Sequence, residues 1–114
     1  DAFPEIHRQL ALIYLAQGDY AAAFKEMDVT YVNVYNLYVQ FGAEEPSEEL
    51  VLTYYICARL YEATGAFTED EANSIGRAYS IFGEDYEPQG DIKAILDGEK
   101  TVKQVLTEGD CDLV

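Results

Sequence analysis

Twenty-two aspartates and glutamates stand against seven lysines and arginines in this 114-residue chain, for a net charge of −15. Two carboxylates can divide acid and base work when their surroundings push their pKa values apart. The densest groups here are Glu44, Glu45, Glu48 and Glu49, and then Glu69, Asp70 and Glu71. Both fall at a linker or a helix start, where negative charge is favoured anyway, so they read as caps and solvated surface. His7 is the only histidine, and neither Cys57 nor Cys111 has metal-ligand spacing; no metal and no cofactor is expected. Asp110 and Asp112 flank Cys111 and would raise its thiol pKa, the wrong direction for a nucleophile. The chain contains no Gly-rich phosphate loop, HExxH pair, nucleophile elbow or calcium loop. These residues point away from an enzyme. The scarce cations are more selective. Two of them, Arg8 and Arg59, could clamp a carboxylate through their planar guanidinium groups. Each also has an acid one helical turn away, Glu5 for Arg8 and Glu62 for Arg59, and simple pairing is the plainer account.

The elements that must position these groups are helices. Pro4 suits a first helical turn, and Ile6, His7, Leu10, Ile13, Tyr14 and Gln17 share one face of a helix over 4–17. Gly18 can end that helix in the left-handed conformation and Asp19 can cap the next. A second helix over 20–41 carries Phe24, Met27, Tyr31, Val34, Tyr38 and Phe41 as a stripe, widened by Val32, Tyr35 and Val39. That is too apolar for one wet face, so contacts on two sides are expected. Gly42 stops it, Glu44–Pro46 link, and Ser47 caps a helix over 48–64 with Leu50, Val51, Tyr54, Cys57, Ala58 and Tyr61 inward. Thr68 and Glu71 form a capping box for a helix over 69–82, whose inward side holds Ala72, Ile75, Ala78, Tyr79 and Phe82. Asp91 is expected to cap a short helix over 92–97, and Thr101 and Gln104 start another ending near 108. Ile92, Ile95, Leu96, Val102, Val105 and Leu106 would close the core as a C-terminal cover.

The stretch Leu10, Ala11, Tyr14, Gly18, Asp19, Tyr20 and Ala23 resembles one tetratricopeptide repeat, with His7 where that family has tryptophan and Met27 and Thr30 at later marker positions. Tyr54, Cys57, Ala58, Tyr61, Ala63, Gly65 and Phe67 echo His7, Leu10, Ala11, Tyr14, Ala16, Gly18 and Tyr20 at a constant offset. The resemblance implies antiparallel hairpins, 4–41 and 47–82, stacked as a short solenoid-like bundle with the segment 91–108 as cover. One all-α domain over 1–114 is expected. It also implies a concave face lined by Arg8, Leu12 and Leu15 from one hairpin and Tyr55, Arg59 and Glu62 from the other, where a partner's peptide or helix would dock. The lysine and asparagine pattern by which some of these repeats clamp a chaperone tail is absent.

Composition bounds the partners. A chain this acidic does not bind nucleic acid or an anionic membrane directly, whereas a basic protein is a suitable partner by charge. The expected function is therefore protein binding through a helical groove. The alternative is an acidic inhibitor or immunity protein that mimics nucleic acid and blocks a basic nucleic-acid-binding protein. The two-sided apolar second helix allows a homo-oligomer as well. Ten tyrosines and no tryptophan supply rings for packing or for a wet binding surface. No apolar run approaches a membrane span. Two cysteines with no disulfide framework favour a cytoplasmic, intracellular protein, although a leader removed before Asp1 would leave no trace.

Overall fold

The computed structural model describes residues 4–83 and 86–107, with side chains as far as Gln104. Six helices follow one another: α1 (Pro4–Ala16), α2 (Tyr20–Phe41), α3 (Glu48–Thr64), α4 (Glu69–Ser80), α5 (Gly90–Leu96) and α6 (Val102–Thr107). No strand occurs among the described residues, and the helices pack on one another as an all-α bundle. Expectations for residues 1–3, for Cys111 with its flanking aspartates and for the inward positions Val105 and Leu106 lie outside what is described.

Local chemistry sets the boundaries. Asp19 accepts a hydrogen bond from the Ala22 amide at 3.2 Å and Ser47 one from Leu50 at 3.1 Å. Thr68 and Glu71 bond each other's backbone N–H groups, and Thr101 and Gln104 do the same. Gly42 takes φ +70° and its N–H reaches the Tyr38 carbonyl, while Ala43 bonds back to Leu37. This paired closure gives partners to the Leu37 and Tyr38 carbonyls where the 22-residue helix stops. The expected role of Asp91 is corrected. The position before α5 belongs to Gln89, which makes no side-chain cap, and Asp91 lies in the first turn, 3.6 Å from the Lys100 ammonium. The helix starts at Gly90, two residues earlier than expected, which carries Asp91 past the capping position.

Packing departs from a simple stack of equal hairpins. α2 runs antiparallel to α1, joined by His7 Nδ1 donating to Glu26 at 2.6 Å. α3 runs antiparallel to α2 and touches α1, α2, α4 and α5. Its middle is therefore buried on every side, through Thr53, Tyr54, Tyr55, Ile56, Cys57 and Ala58, as a helix surrounded by others must be. α6 returns to lie against α1. Only the first half of the α2 stripe is covered: Phe24, Met27 and Tyr31 are buried, whereas Tyr38 and Phe41 are exposed.

Tyr54 sits at the centre, fully buried. Its ring stacks on Phe24 and Tyr31 with centroids 5.7 and 5.0 Å apart. Its hydroxyl donates to Asp28 on α2, and the same carboxylate oxygen accepts from Arg77 on α4 at 3.1 Å. Burial first, and the Asp28 carboxylate second, push the Tyr54 phenol well above its usual pKa, so it remains a proton donor. Tyr54→Phe keeps the ring but strips Asp28 of a buried donor. It should cost about 1–3 kcal/mol, read from the shift of the urea unfolding midpoint at constant slope.

Candidate functional site

Of the six residues expected to line a docking face, the structure keeps Tyr55, Arg59 and Glu62 on one side of α3 and α4 and buries Arg8, Leu12 and Leu15. Arg8 is 1% exposed and Leu12 is as deeply buried, both in the seam where α1 meets the rest of the core. The α1 face that turns inward is Arg8, Ala11, Leu12 and Leu15. Ile6 and Ile13, placed inward by apolar periodicity, lie half or more exposed. The reason is local: the Arg8 guanidinium enters the core because the Glu5 carboxylate covers it, at 2.9 Å from Nε and 2.6 Å from Nη2, and Nη1 reaches the Thr53 hydroxyl at 3.4 Å. A buried charge held this way also packs its aliphatic stem. Arg8 and Leu12 therefore cannot touch a partner on an open face.

Tyr55 and Arg59 line the groove between α3 and α4, and Glu62 joins them there through its bond with Tyr79. Thr53, which meets Arg8, and Arg59 are six residues apart on α3, so their side chains diverge by about 120° around its axis. The groove has a volume of about 570 Å³ and is lined by Tyr55 and Arg59 from α3, by Gly76 and Tyr79 from α4, and by Tyr86 from the segment beyond. Arg59 Nη1 donates to the Tyr55 hydroxyl at 2.6 Å. The guanidinium carbon lies 5.7 Å from the Tyr55 ring centre and 5.9 Å from that of Tyr79, within cation–π range. Glu62, the acid expected to pair with Arg59, instead accepts from the Tyr79 hydroxyl at 2.6 Å. Among the described residues, no carboxylate forms an ion pair with Arg59. A planar cation on an aromatic wall, with N–H donors to spare, can receive a carboxylate.

The walls are fixed by rings. Tyr55 meets Tyr79, Phe82 and Tyr86 at centroid distances of 5.6, 5.5 and 5.2 Å, and Phe82 stacks on Tyr86 at 4.4 Å. Burial, then the Glu62 carboxylate, pushes the Tyr79 phenol far above its ordinary range. Tyr86 is raised by burial, with Tyr55 and Glu48 adding to it. The floor is Gly76, where an added Cβ would meet no atom within 4 Å. Gly76 and Tyr86 are not singled out by the sequence, and Tyr79 is expected there only as an inward residue of its helix. The available signal was a glycine inside α4, where it weakens the helix and serves no turn.

Cys57 is buried, and burial raises its thiol far above the reactive range. No cluster of His, Cys, Asp and Glu suited to a metal occurs among the described residues. No helix among them is long and apolar enough to cross a membrane. Comparison of the chain with protein-family models, curated proteins and solved structures gave no match.

Two consequences are measurable. Arg8→Ala should lower stability by about 2–4 kcal/mol, because it opens a cavity and strands its polar neighbours, whereas exposed Arg59→Ala should change it by less than about 1 kcal/mol. The hydrogen bond from Arg8 holds the Glu5 carboxyl below its ordinary value of 4.5. A depressed carboxyl stabilises the fold above its unfolded pKa, and that share is lost as pH falls through the folded value. The urea midpoint should drop as pH is lowered from about 6 to about 3, and Glu5→Gln should flatten part of that drop.

Proposed function

We propose that the protein is a protein-binding module that takes a peptide segment of its partner into the α3–α4 groove. The partner's carboxylate pairs with Arg59, and a neighbouring apolar side chain enters the space over Gly76 between Tyr55, Tyr79 and Tyr86. One observation carries this reading: in a chain with a net charge of −15, Arg59 lies against two tyrosine rings with no carboxylate paired to it among the described residues. A tetratricopeptide-like hairpin architecture is compatible with this use. Ala11 and Ala58, equivalent under the sequence offset, are both fully buried, and Gly18 and Gly65 both take positive φ. Against strict repetition, the second helices differ, with 22 residues in α2 and 12 in α4.

A second reading, the acidic inhibitor of a basic nucleic-acid-binding protein, draws on a different cleft. Glu48, Glu87 and Asp91 line a hollow of about 710 Å³ beside Phe82 and Tyr86, so acids remote in sequence meet at one end of the bundle. Glu69, Asp70 and Glu71 stand at the other end of the α3–α4 hairpin, which divides the acidic surface instead of making one continuous face. The groove reading is therefore preferred.

A displayed library of random peptides tests it. Wild type should enrich sequences that combine an acidic residue with an apolar or aromatic one. Gly76→Trp should abolish their binding by filling the groove. Arg59→Ala should weaken binding about tenfold or more, in keeping with a charge-assisted contact. Gly76→Ala serves as the folding control and should gain about 0.5–1 kcal/mol of stability. Peptides that bind Gly76→Trp as well as wild type would refute the groove. Enrichment of basic peptides whose binding collapses in salt would favour the inhibitor.

A further inference from the structure

The exposed half of α2 has no role in the groove. From Val29 to Ala43 the chain carries no charged residue, although a quarter of the whole is charged. Acids bound this strip on both sides, with Glu26 and Asp28 before it and Glu44, Glu45, Glu48 and Glu49 after it. α2 has 22 residues and its antiparallel neighbour α1 has 13, so the end of α2 runs past the start of α1. There Tyr35, Leu37, Tyr38, Val39 and Phe41 are all exposed, Phe41 most of all at 76%. Tyr31, Tyr35 and Tyr38 form a ladder with centroid distances of 5.9 and 6.4 Å, which holds this end of the helix in shape.

One face of this segment combines a notch and a knob. Asn33, Asn36, Leu37, Gln40 and Phe41 line a shallow hollow of about 270 Å³. They recur at three- and four-residue spacing, as one helix face does. Phe41 stands at one end and Asn33 at the other, each four residues from Leu37, or about 6 Å along the axis.

We infer that this face binds a second copy of the same chain, α2 against α2, antiparallel and crossing at Leu37. Under a two-fold axis at that point each Leu37 meets its counterpart, and each Phe41 lies over the Asn33 end of the other copy's notch. A surface that carries both parts of its own complement satisfies a closed dimer. Charge selects the occupant. Two chains of −15 repel each other over most of their surfaces, and they can approach closely only where that charge is missing. A basic partner would gain nothing from a strip without acids and would settle on the acidic ends. The contact is short, since nine residues of helix span about 13 Å, so the dimer is weak and forms in the range of tens to hundreds of micromolar, roughly.

Sedimentation of the full chain from about 10 µM to about 1 mM, at low and high salt, tests this. The expected result is a monomer–dimer equilibrium whose dissociation constant falls several-fold between about 50 and about 500 mM salt, because screening relieves like-charge repulsion. Phe41→Glu and Leu37→Glu should leave a monomer throughout with an unchanged circular dichroism spectrum, since both side chains are exposed. Ile13→Glu, on an exposed α1 position away from the strip, should dimerise as wild type does. A wild-type monomer at the highest concentration in both salts would overturn the inference. So would a dimer that survives Phe41→Glu, or one that salt weakens.

Discussion

A single carboxylate, that of Asp28, ties three of the four long helices together. Asp28 belongs to α2, the Tyr54 hydroxyl that donates to it to α3, and the Arg77 that shares its oxygen to α4. The carboxylate is only partly exposed, so it needs those donors. In supplying them α3 and α4 fix their rotation relative to α2. Tyr54 also stacks between Phe24 and Tyr31, so the same side chain provides both polar registration and apolar contact. The fixed rotation of α3 places Tyr55, one residue on, toward α4, and from that placement comes the ring wall of the groove. The groove is thus a consequence of how the core is keyed.

Arg8 shows the same logic at the other side of α3. A cation in a core is costly unless it is paired and bonded. Here Glu5 precedes it by one turn and Thr53 faces it from α3. Thr53 is itself anchored, donating to the Glu49 carbonyl at 2.8 Å while its oxygen receives the guanidinium. The pairing fixes which face of α1 turns inward, because Ala11, Leu12 and Leu15 lie on the stripe Arg8 begins. Ion pairing and apolar packing therefore cooperate at a position where an unpaired cation would turn to solvent.

That cooperation explains what was legible in the sequence. Element boundaries were, because caps act within one turn: Asp19, Ser47, Thr68 with Glu71, and Gly42 each satisfy backbone groups of adjacent residues. The helices over 20–41 and 48–64 follow directly from such signals. Faces were less so, because a face depends on neighbours remote in the chain. Periodicity put Ile6 and Ile13 on the apolar face of α1, and the tetratricopeptide resemblance put Arg8 and Leu12 on an open one. It had no access to Thr53, forty-five residues away from Arg8, nor to α6 returning onto α1. The candidate site divides the same way. Tyr55, Arg59 and Glu62 lie on one helix at three- and four-residue spacing and were found together. Gly76, Tyr79 and Tyr86 come to them from other elements, and of these only Tyr79 was expected inward, with no place at a site.

The acidity of the chain acts chiefly by exclusion. With so many carboxylates, an uncharged exposed strip is the exception, and it lies on α2, whereas the cation held against tyrosine rings, Arg59, lies on α3. Arg59 has no ion-paired carboxylate among the described residues while Glu62 is taken up by Tyr79, whose raised phenol pKa makes it a standing donor to that carboxylate. Were Tyr79 unable to donate, Glu62 would be the nearest anion for Arg59, one turn along α3, and the groove would lose the feature that distinguishes it. The tyrosine-rich composition has a specific consequence here: rings build the wall, and their hydroxyls decide which charges remain available on it.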